Sequence, residues 1–380
     1  MTATAIAAPD TATDPLFAPF KVGAMDLPNR LAVAPMTRVS ATETGYATPR
    51  MHDYYGRFAD GGFGLIITEG LYTDQAFSQG YLFQPGLSDA AQRDAWKPLV
   101  ERVHAGGARF IAQLMHAGAL SQGNRFRGDT RGPSAVRPAG RQMVFYRGSG
   151  EYPVPTAMTK SEIDEAIAGF AASAYRAREA GFDGVEIHAA NGYLLDQFLS
   201  EGVNLRTDAY GGDAAARLQI TIEVAEAVRT AAGPDFVVGV RSSQGKVNDF
   251  HHKWRGEEEA ARIYALLGQL PIDYLHTTEF EAWQPAFDEG ASLASLAKRH
   301  SGLPVLANGS LHDPDRAADM LARHNADVVT LGRGALTHAD WPRRVQAGAA
   351  TEAFDQTILA PLADLANADR VHAAKQAIGA

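Results

Sequence analysis

The sequence predicts a single (β/α)8 barrel, and three observations carry that expectation. Eight short, nearly continuous runs of Val, Ile, Leu and Ala alternate in one unbroken series with longer Ala-rich segments. Such runs suit parallel strands buried on both faces, and the longer segments suit crossover helices. No Gly-x-Gly-x-x-Gly stands anywhere in the chain, whereas an open doubly wound sheet would place one after its first strand. Polar residues gather where the apolar runs end, which is where the loops of a barrel converge.

The predicted strands are residues 30–35, 64–69, 109–115, 184–188, 236–241, 274–278, 304–308 and 328–332, and the helical segments between them include 90–105, 160–179, 214–231, 256–267 and 314–324. Thr159 followed by Glu162 reads as a capping box, and Asp313 before Pro314 as a helix start. Residues 20–29 read as a small hairpin placed to plug one end. The stretch of about 117–158, rich in Gly, Arg and Pro, is too long for a simple connection and is expected to cap the active mouth. Residues 1–14 read as a disordered leader and 15–380 as the barrel domain.

Composition narrows the function. The chain has 380 residues, 46% hydrophobic and 21% charged, enough for a large core. Its formal net charge of −9 argues against general binding to nucleic acid or to an anionic membrane. There is no cysteine, so disulfides, iron–sulfur clusters, thiolate zinc sites and thiol nucleophiles are excluded. No apolar run approaches the roughly 20 residues of a membrane span, and the expected location is the cytoplasm.

The strand ends supply a ring of polar groups: Thr37 and Arg38, Glu69, Gln113 and His116, His188 with Asn191 and Tyr193, Arg241, Asn308-Gly309-Ser310, and Gly332-Arg333-Gly334. Small residues after strands seven and eight leave backbone N–H groups free to approach an anion, and Arg333 adds a charged donor. Barrels often bind phosphate there. Two glycine-bearing turns without a ligand would look the same. His188 and Asn191 could present two donors to one oxygen, and Tyr193 offers a weakly acidic hydroxyl. A buried histidine satisfied by backbone is the plain alternative. No second metal ligand stands near His188, and the His251-His252-Lys253-Trp254 stretch reads as an exposed loop.

Specific motifs converge on a family. Asn29-Arg-Leu-Ala-Val-Ala-Pro-Met-Thr-Arg38, Ile-Ala-Gln113-Leu-Met-His, His188-Ala-Ala-Asn-Gly-Tyr-Leu-Leu-Asp-Gln-Phe198, Arg206-Thr-Asp-Ala-Tyr-Gly-Gly212 and Asn308-Gly309 together resemble the Old Yellow Enzyme family of FMN-dependent ene-reductases, from about Leu16 to Asp340. That resemblance implies tightly, non-covalently bound FMN, with NAD(P)H as co-substrate and a small activated alkene as substrate. Pro35, Met36 and Thr37 would contact the flavin ring, with Gly70 beneath it. Gln113 and Arg241 would bind its pyrimidine part, and Asn308, Gly309, Ser310, Gly332 and Arg333 its phosphate. His188 and Asn191 would bind the substrate's activating oxygen, Tyr193 would protonate the α-carbon, and Tyr81 and Met115 would wall the substrate pocket. Both substrates would use the same flavin face in turn, so no separate dinucleotide-binding domain is needed.

The chain departs from the family in places. Met115 replaces a common bulky aromatic, Ser310 a second glycine, and Ser242-Ser-Gln a usual Leu-Ser-Pro. Thr37 stands where one branch has a thiol, and the absence of cysteine sets the chain apart from members with an iron–sulfur portion. The loop around His251–Trp254 and the tail 356–380 lack a family counterpart. A physiological dehydrogenase or isomerase on the same flavin barrel, or a flavin-binding protein without catalysis, stay open alternatives. Exposed barrel helices leave a homodimer open as the assembly.

Overall fold

The structure is a computed structural model that describes residues 14–323 and 326–379. The expected leader lies outside the described residues except for Asp14, which accepts a hydrogen bond from the Leu16 amide at 2.9 Å.

Eight parallel strands close into a barrel: β1 (Leu31–Val33), β2 (Leu65–Ile67), β3 (Arg109–Met115), β4 (Gly184–Asn191), β5 (Val237–Lys246), β6 (Tyr274–Thr278), β7 (Val305–Asn308) and β8 (Val328–Leu331). Each pairs with the next in sequence, and β8 pairs with β1 to complete the ring. All eight predicted strands are present. β1 is shorter than expected; Pro35, which has no N–H to give a ladder, follows close behind it. β4 and β5 run further than expected because Lys246 pairs with Asn191 across an irregular register after Ser242. The Lys246 ammonium bonds to the buried Asp196 carboxylate just beyond β4, a tertiary contact that no local pattern announces.

The helices between them are α1 (Pro49–Asp60), α2 (Ala90–Ala105), α3 (Lys160–Ala180), α4 (Ala214–Ala232), α5 (Glu257–Leu267), α6 (Leu293–Ser301) and α7 (Pro314–Arg323), with α8 (Leu365–Gly379) at the C-terminal end. α3 shows how sequence chemistry sets a boundary. Thr159 and Glu162 form the reciprocal capping box, and the helix stops at Gly181, whose φ of 94° suits a residue without Cβ. Asp313 likewise accepts from the Arg316 amide at 2.8 Å and starts α7. α1, α6 and α8 were not anticipated.

At the end where strands begin, three carboxylates are matched to partners. Asp183, Asp273 and Asp327 precede β4, β6 and β8, and each accepts the amide of a strand next door: Phe110, Val238 and Val305, all at 2.8 Å. Each also pairs with a cation, namely Arg109, Arg229 and Lys298. The hairpin pairs Phe20–Val22 with Met25–Leu27. Its buried Val22, Met25 and Leu27 share one apolar cluster with Leu65, Ile111, Val237 and Leu306 of the strands.

At the other end, the stretch after β3 carries two short 3-10 turns and the brief parallel pair of Arg131–Gly132 with Thr156–Ala157. The tail before α8 ties into it. The Ala363 amide donates to the Phe145 carbonyl at 3.0 Å, Arg147 pairs with Asp364 at 3.2 Å, and the Leu365 amide donates to Ser40 Oγ at 2.8 Å.

Candidate active site

A cavity of 430 Å³ opens where the strands finish, a size common for small-ligand sites. β1 is followed into its wall by Pro35, Met36, Thr37 and Arg38, and β2 by Gly70. Gln113 and Met115 come from β3, His188, Asn191 and the adjacent Tyr193 from the β4 end, and Arg241 from β5. Asn308, Gly309 and Ser310 close β7, and Gly332 and Arg333 follow β8. Every candidate site residue from the sequence except Tyr81 lines this cavity.

Tyr81 sits one layer back. It is fully buried in a cluster with Met115, Leu120 and Tyr152, and its hydroxyl lies 2.6 Å from that of Tyr193. It therefore backs Tyr193 instead of walling the cavity, a correction to its expected place.

His188 and Tyr193 pack edge to face, ring centres 4.9 Å apart. Burial pushes the His188 imidazole down to about 3, with the Arg241 charge adding to that and Glu186 opposing it. The ring is therefore neutral at ordinary pH, with one nitrogen that donates and one that accepts, and Nδ1 is buried without a hydrogen-bond partner among the described residues. Burial pushes the Tyr193 hydroxyl well above its usual value, against the lowering effect of the Tyr81 hydrogen bond. Tyr193 is thus a phenol with a proton to give, not a base. Asn191 adopts a left-handed backbone, φ 61°, rare outside glycine and often found where function demands it. It is held there by its amide donating to Ser243 Oγ at 2.8 Å and by Val247 N–H donating to its carbonyl at 3.1 Å.

Arg241 is buried, with Nε unpaired and one Nη donating to Asn308 Oδ1 at 3.1 Å. A buried guanidinium on a cavity wall suits an anionic or acceptor-rich ligand. The Asn308 amide is committed to the protein, bonding Arg241, Thr278 and the Thr330 carbonyl. It thereby holds Arg241 in place, and Gly309, Ser310, Gly332 and Arg333 line the cavity after β7 and β8, with Ser310 Oγ donating to the Phe280 carbonyl at 2.7 Å. Arg333 donates to Ser310 Oγ at 2.7 Å. A Cβ on Gly309, φ 146°, would lie 2.4 Å from the Glu279 carbonyl, so this close turn needs glycine.

Three members of the predicted ring, Glu69, His116 and Gly334, lie off the cavity. Glu69 is buried and accepts the amides of Arg38 at 2.8 Å and Val39 at 3.2 Å. His116 accepts the Gly118 amide at 3.1 Å. Both shape loops behind the site. Among the described residues no cluster of three or more His, Asp or Glu could hold a metal, and His252 instead contacts the Gln244 carbonyl at 3.2 Å. The cavity also takes Met143, Phe145 and Tyr146 from the long stretch after β3, Val247 and Phe250 from the loop after β5, and Leu359 from the tail. Sequence reading expected the long stretch after β3 at the mouth but gave the tail no place there, and it chose none of these residues, since none follows a strand periodicity.

The chain matches the model of the NADH:flavin oxidoreductase / NADH oxidase family over residues 15–352. It is 31% identical over 346 residues to an NADH oxidase of Thermoanaerobacter brockii, covering 89% of this chain but 51% of that protein, so it spans about half the length of that relative. It is 34% identical over 358 residues to chanoclavine-I aldehyde reductase of Penicillium roqueforti, with 90% and 91% of the two chains covered. Among solved structures, morphinone reductase in complex with tetrahydroNAD superposes with a TM-score of 0.79 at 32% identity, covering 90% and 93% of the chains.

The cavity fits the FMN of that family on its own terms: Arg241 and Arg333 put two guanidinium groups on its wall, which suits a ligand with an acceptor-rich ring edge and a phosphate. Among the described residues no helix is long and apolar enough to cross a membrane. On its sequence match, its closed barrel and this donor set, the chain belongs to the Old Yellow Enzyme-type NADH:flavin oxidoreductases, FMN enzymes that take their electrons from NAD(P)H.

Proposed function

We propose that the enzyme reduces the activated C=C bond of α,β-unsaturated carbonyl or nitro compounds, in two alternating half-reactions at one cavity. Storing a hydride between the nicotinamide and the alkene is the chemistry that FMN supplies when bound. Pro35, Met36, Thr37 and Gly70 would hold the ring, Gln113 and Arg241 its pyrimidine side, and Ser310 and Arg333, with the Gly309 and Gly332 backbone, the phosphate. Neutral His188 and the Asn191 amide donate to the substrate's carbonyl or nitro oxygen, drawing negative charge away from the alkene. Tyr193 then delivers its proton to the α-carbon, and the Tyr81 hydroxyl 2.6 Å away shares a hydrogen bond with the phenol. Met115 shapes the substrate's side of the cavity.

The observation that carries this reading is His188, Asn191 with its left-handed backbone and Tyr193 lining one cavity together with the buried Arg241. The test is anaerobic rapid mixing of the purified yellow protein. NADPH should bleach it and cyclohexenone should restore the colour. Tyr193→Phe should leave bleaching intact and slow recolouring on the order of 10²–10⁴-fold. Unaltered recolouring would remove Tyr193 from the mechanism, and turnover without nicotinamide would point to dehydrogenation or isomerisation.

A further inference from the structure

We propose that Glu186 is a positioning residue that decides which end of the Gln113 amide faces the cavity and limits how much of the Arg241 charge reaches a bound flavin. The proposal rests on the flavin placement given above. Glu186 lies on β4 two residues before His188, on the same, inward face of the strand. It is fully buried, yet the expected catalytic chemistry has no task for it.

The carboxylate is completely engaged. One oxygen accepts Gln113 Nε2 at 2.8 Å. The other accepts the Tyr274 hydroxyl at 3.0 Å and His276 Nδ1 at 2.8 Å. His276 Nε2 in turn meets Thr330 Oγ1 at 3.0 Å. Four strands, β3, β4, β6 and β8, are thereby joined through one carboxylate beneath the cavity.

Burial pushes the Glu186 carboxyl up, but its neighbours, His276 first, then Arg241 and Gln113, hold it at about 2. Burial also keeps His276 below its usual value. His276 acts on Glu186 through both its charge and its hydrogen bond, and Arg241 adds a second positive group beside it.

An ionised carboxylate only accepts hydrogen bonds, so the amide nitrogen of Gln113 must face it. Gln113 Oε1 is left as the polar end toward the cavity that Gln113 lines. A carbonyl oxygen in that place selects a ring N–H, and its orientation is set before any ligand arrives. Glu186 also opposes Arg241 electrostatically: its charge raises the Arg241 pKa against the lowering effect of burial. A partly compensated Arg241 stabilises an anionic reduced ring less than a free guanidinium would.

Glu186→Gln removes the charge and, because a carboxamide can both give and accept, releases the choice of Gln113 rotamer. The measurement is the midpoint potential of the flavin-loaded protein by dye-equilibrated titration. The ratio of reduced to oxidised flavin at fixed potential should rise about tenfold, equivalent to ~30 mV for a two-electron couple. Tyr274→Phe keeps the charge but removes one donor from it, leaving Glu186 a stronger opponent of Arg241, so the ratio should fall about twofold. It supplies the readout if Glu186→Gln does not fold. A merely structural Glu186 would lower the melting temperature and leave the potential in place; an unchanged potential in a flavin-loaded Glu186→Gln, or an unchanged or raised ratio in Tyr274→Phe, overturns the proposal. A purified protein without flavin would instead sink the site assignment on which it rests.

Discussion

The two ends of this barrel handle polar groups in opposite ways. Where strands begin, Asp183, Asp273 and Asp327 each accept a neighbouring strand's amide and each face a cation. Where strands finish, His188 Nδ1 and Arg241 Nε are buried without partners, and Asn191 and Ser310 hold left-handed backbones with φ of 61° and 53°. An unpaired buried donor costs stability, so it persists where a ligand satisfies it. The three matched carboxylates belong to the frame of the barrel, and these two unmatched nitrogens belong to residues that line its site.

Substitutions at the two ends should therefore fail differently. The largest effect is expected at the mouth. His188→Ala should lower kcat/KM for alkene reduction on the order of 10²–10³-fold, the usual loss for one donor to a developing oxyanion. Its melting temperature should hold or rise, because a buried unpaired nitrogen goes with it; a large drop in thermal stability would break the contrast.

Glu69 tests the boundary between the two regimes, since it lies behind the mouth but is paired. Burial raises its carboxyl to about 7, against the amides of Arg38 and Val39 and the Arg38 charge. The folded state therefore binds this proton more tightly than the unfolded chain. That contribution is complete below the unfolded value near 4.5 and is lost as pH rises through about 7. Denaturant titrations should show a decline of roughly 3 kcal/mol across that window, and Glu69→Gln should flatten it. A curve with the same slope in the variant would assign the pH dependence elsewhere.

The smallest effect belongs to the frame. Asp273→Ala leaves the Val238 amide without its acceptor and removes one of several from Arg229, costing about 1–3 kcal/mol. The folded fraction should keep its flavin spectrum and kcat/KM. A fall in kcat/KM at constant flavin content would mean that the strand-start end reaches the chemistry after all.

Much of this molecule was legible before its structure. The eight apolar runs coincide with the eight strands because a strand covered on both faces has to be apolar throughout. Polar residues at the strand ends fall into one cavity because barrel closure brings those ends together. The helices missed had reasons. α1 carries Tyr54, Tyr55, Gly56 and Phe58, a run that reads poorly as a helix. Gly56 lets the Arg102 side chain lie close against the helix, where a Cβ would meet its Nε at 2.7 Å. α6 is only nine residues long, and α8 is held by contacts from the preceding tail to Ser40, Phe145 and Arg147, residues more than two hundred positions away.

By itself the sequence determined the barrel, the strand ends that hold chemistry, and the flavin family, because periodicity and motif spacing are local properties. Tertiary structure alone decided which polar groups are spent and which are free. It set Tyr81 behind Tyr193, gave the Asn308 amide to Arg241, and closed Glu186 against Gln113, Tyr274 and His276. Pairing and burial depend on what the rest of the chain brings within about 3 Å, and no single stretch of sequence contains that information.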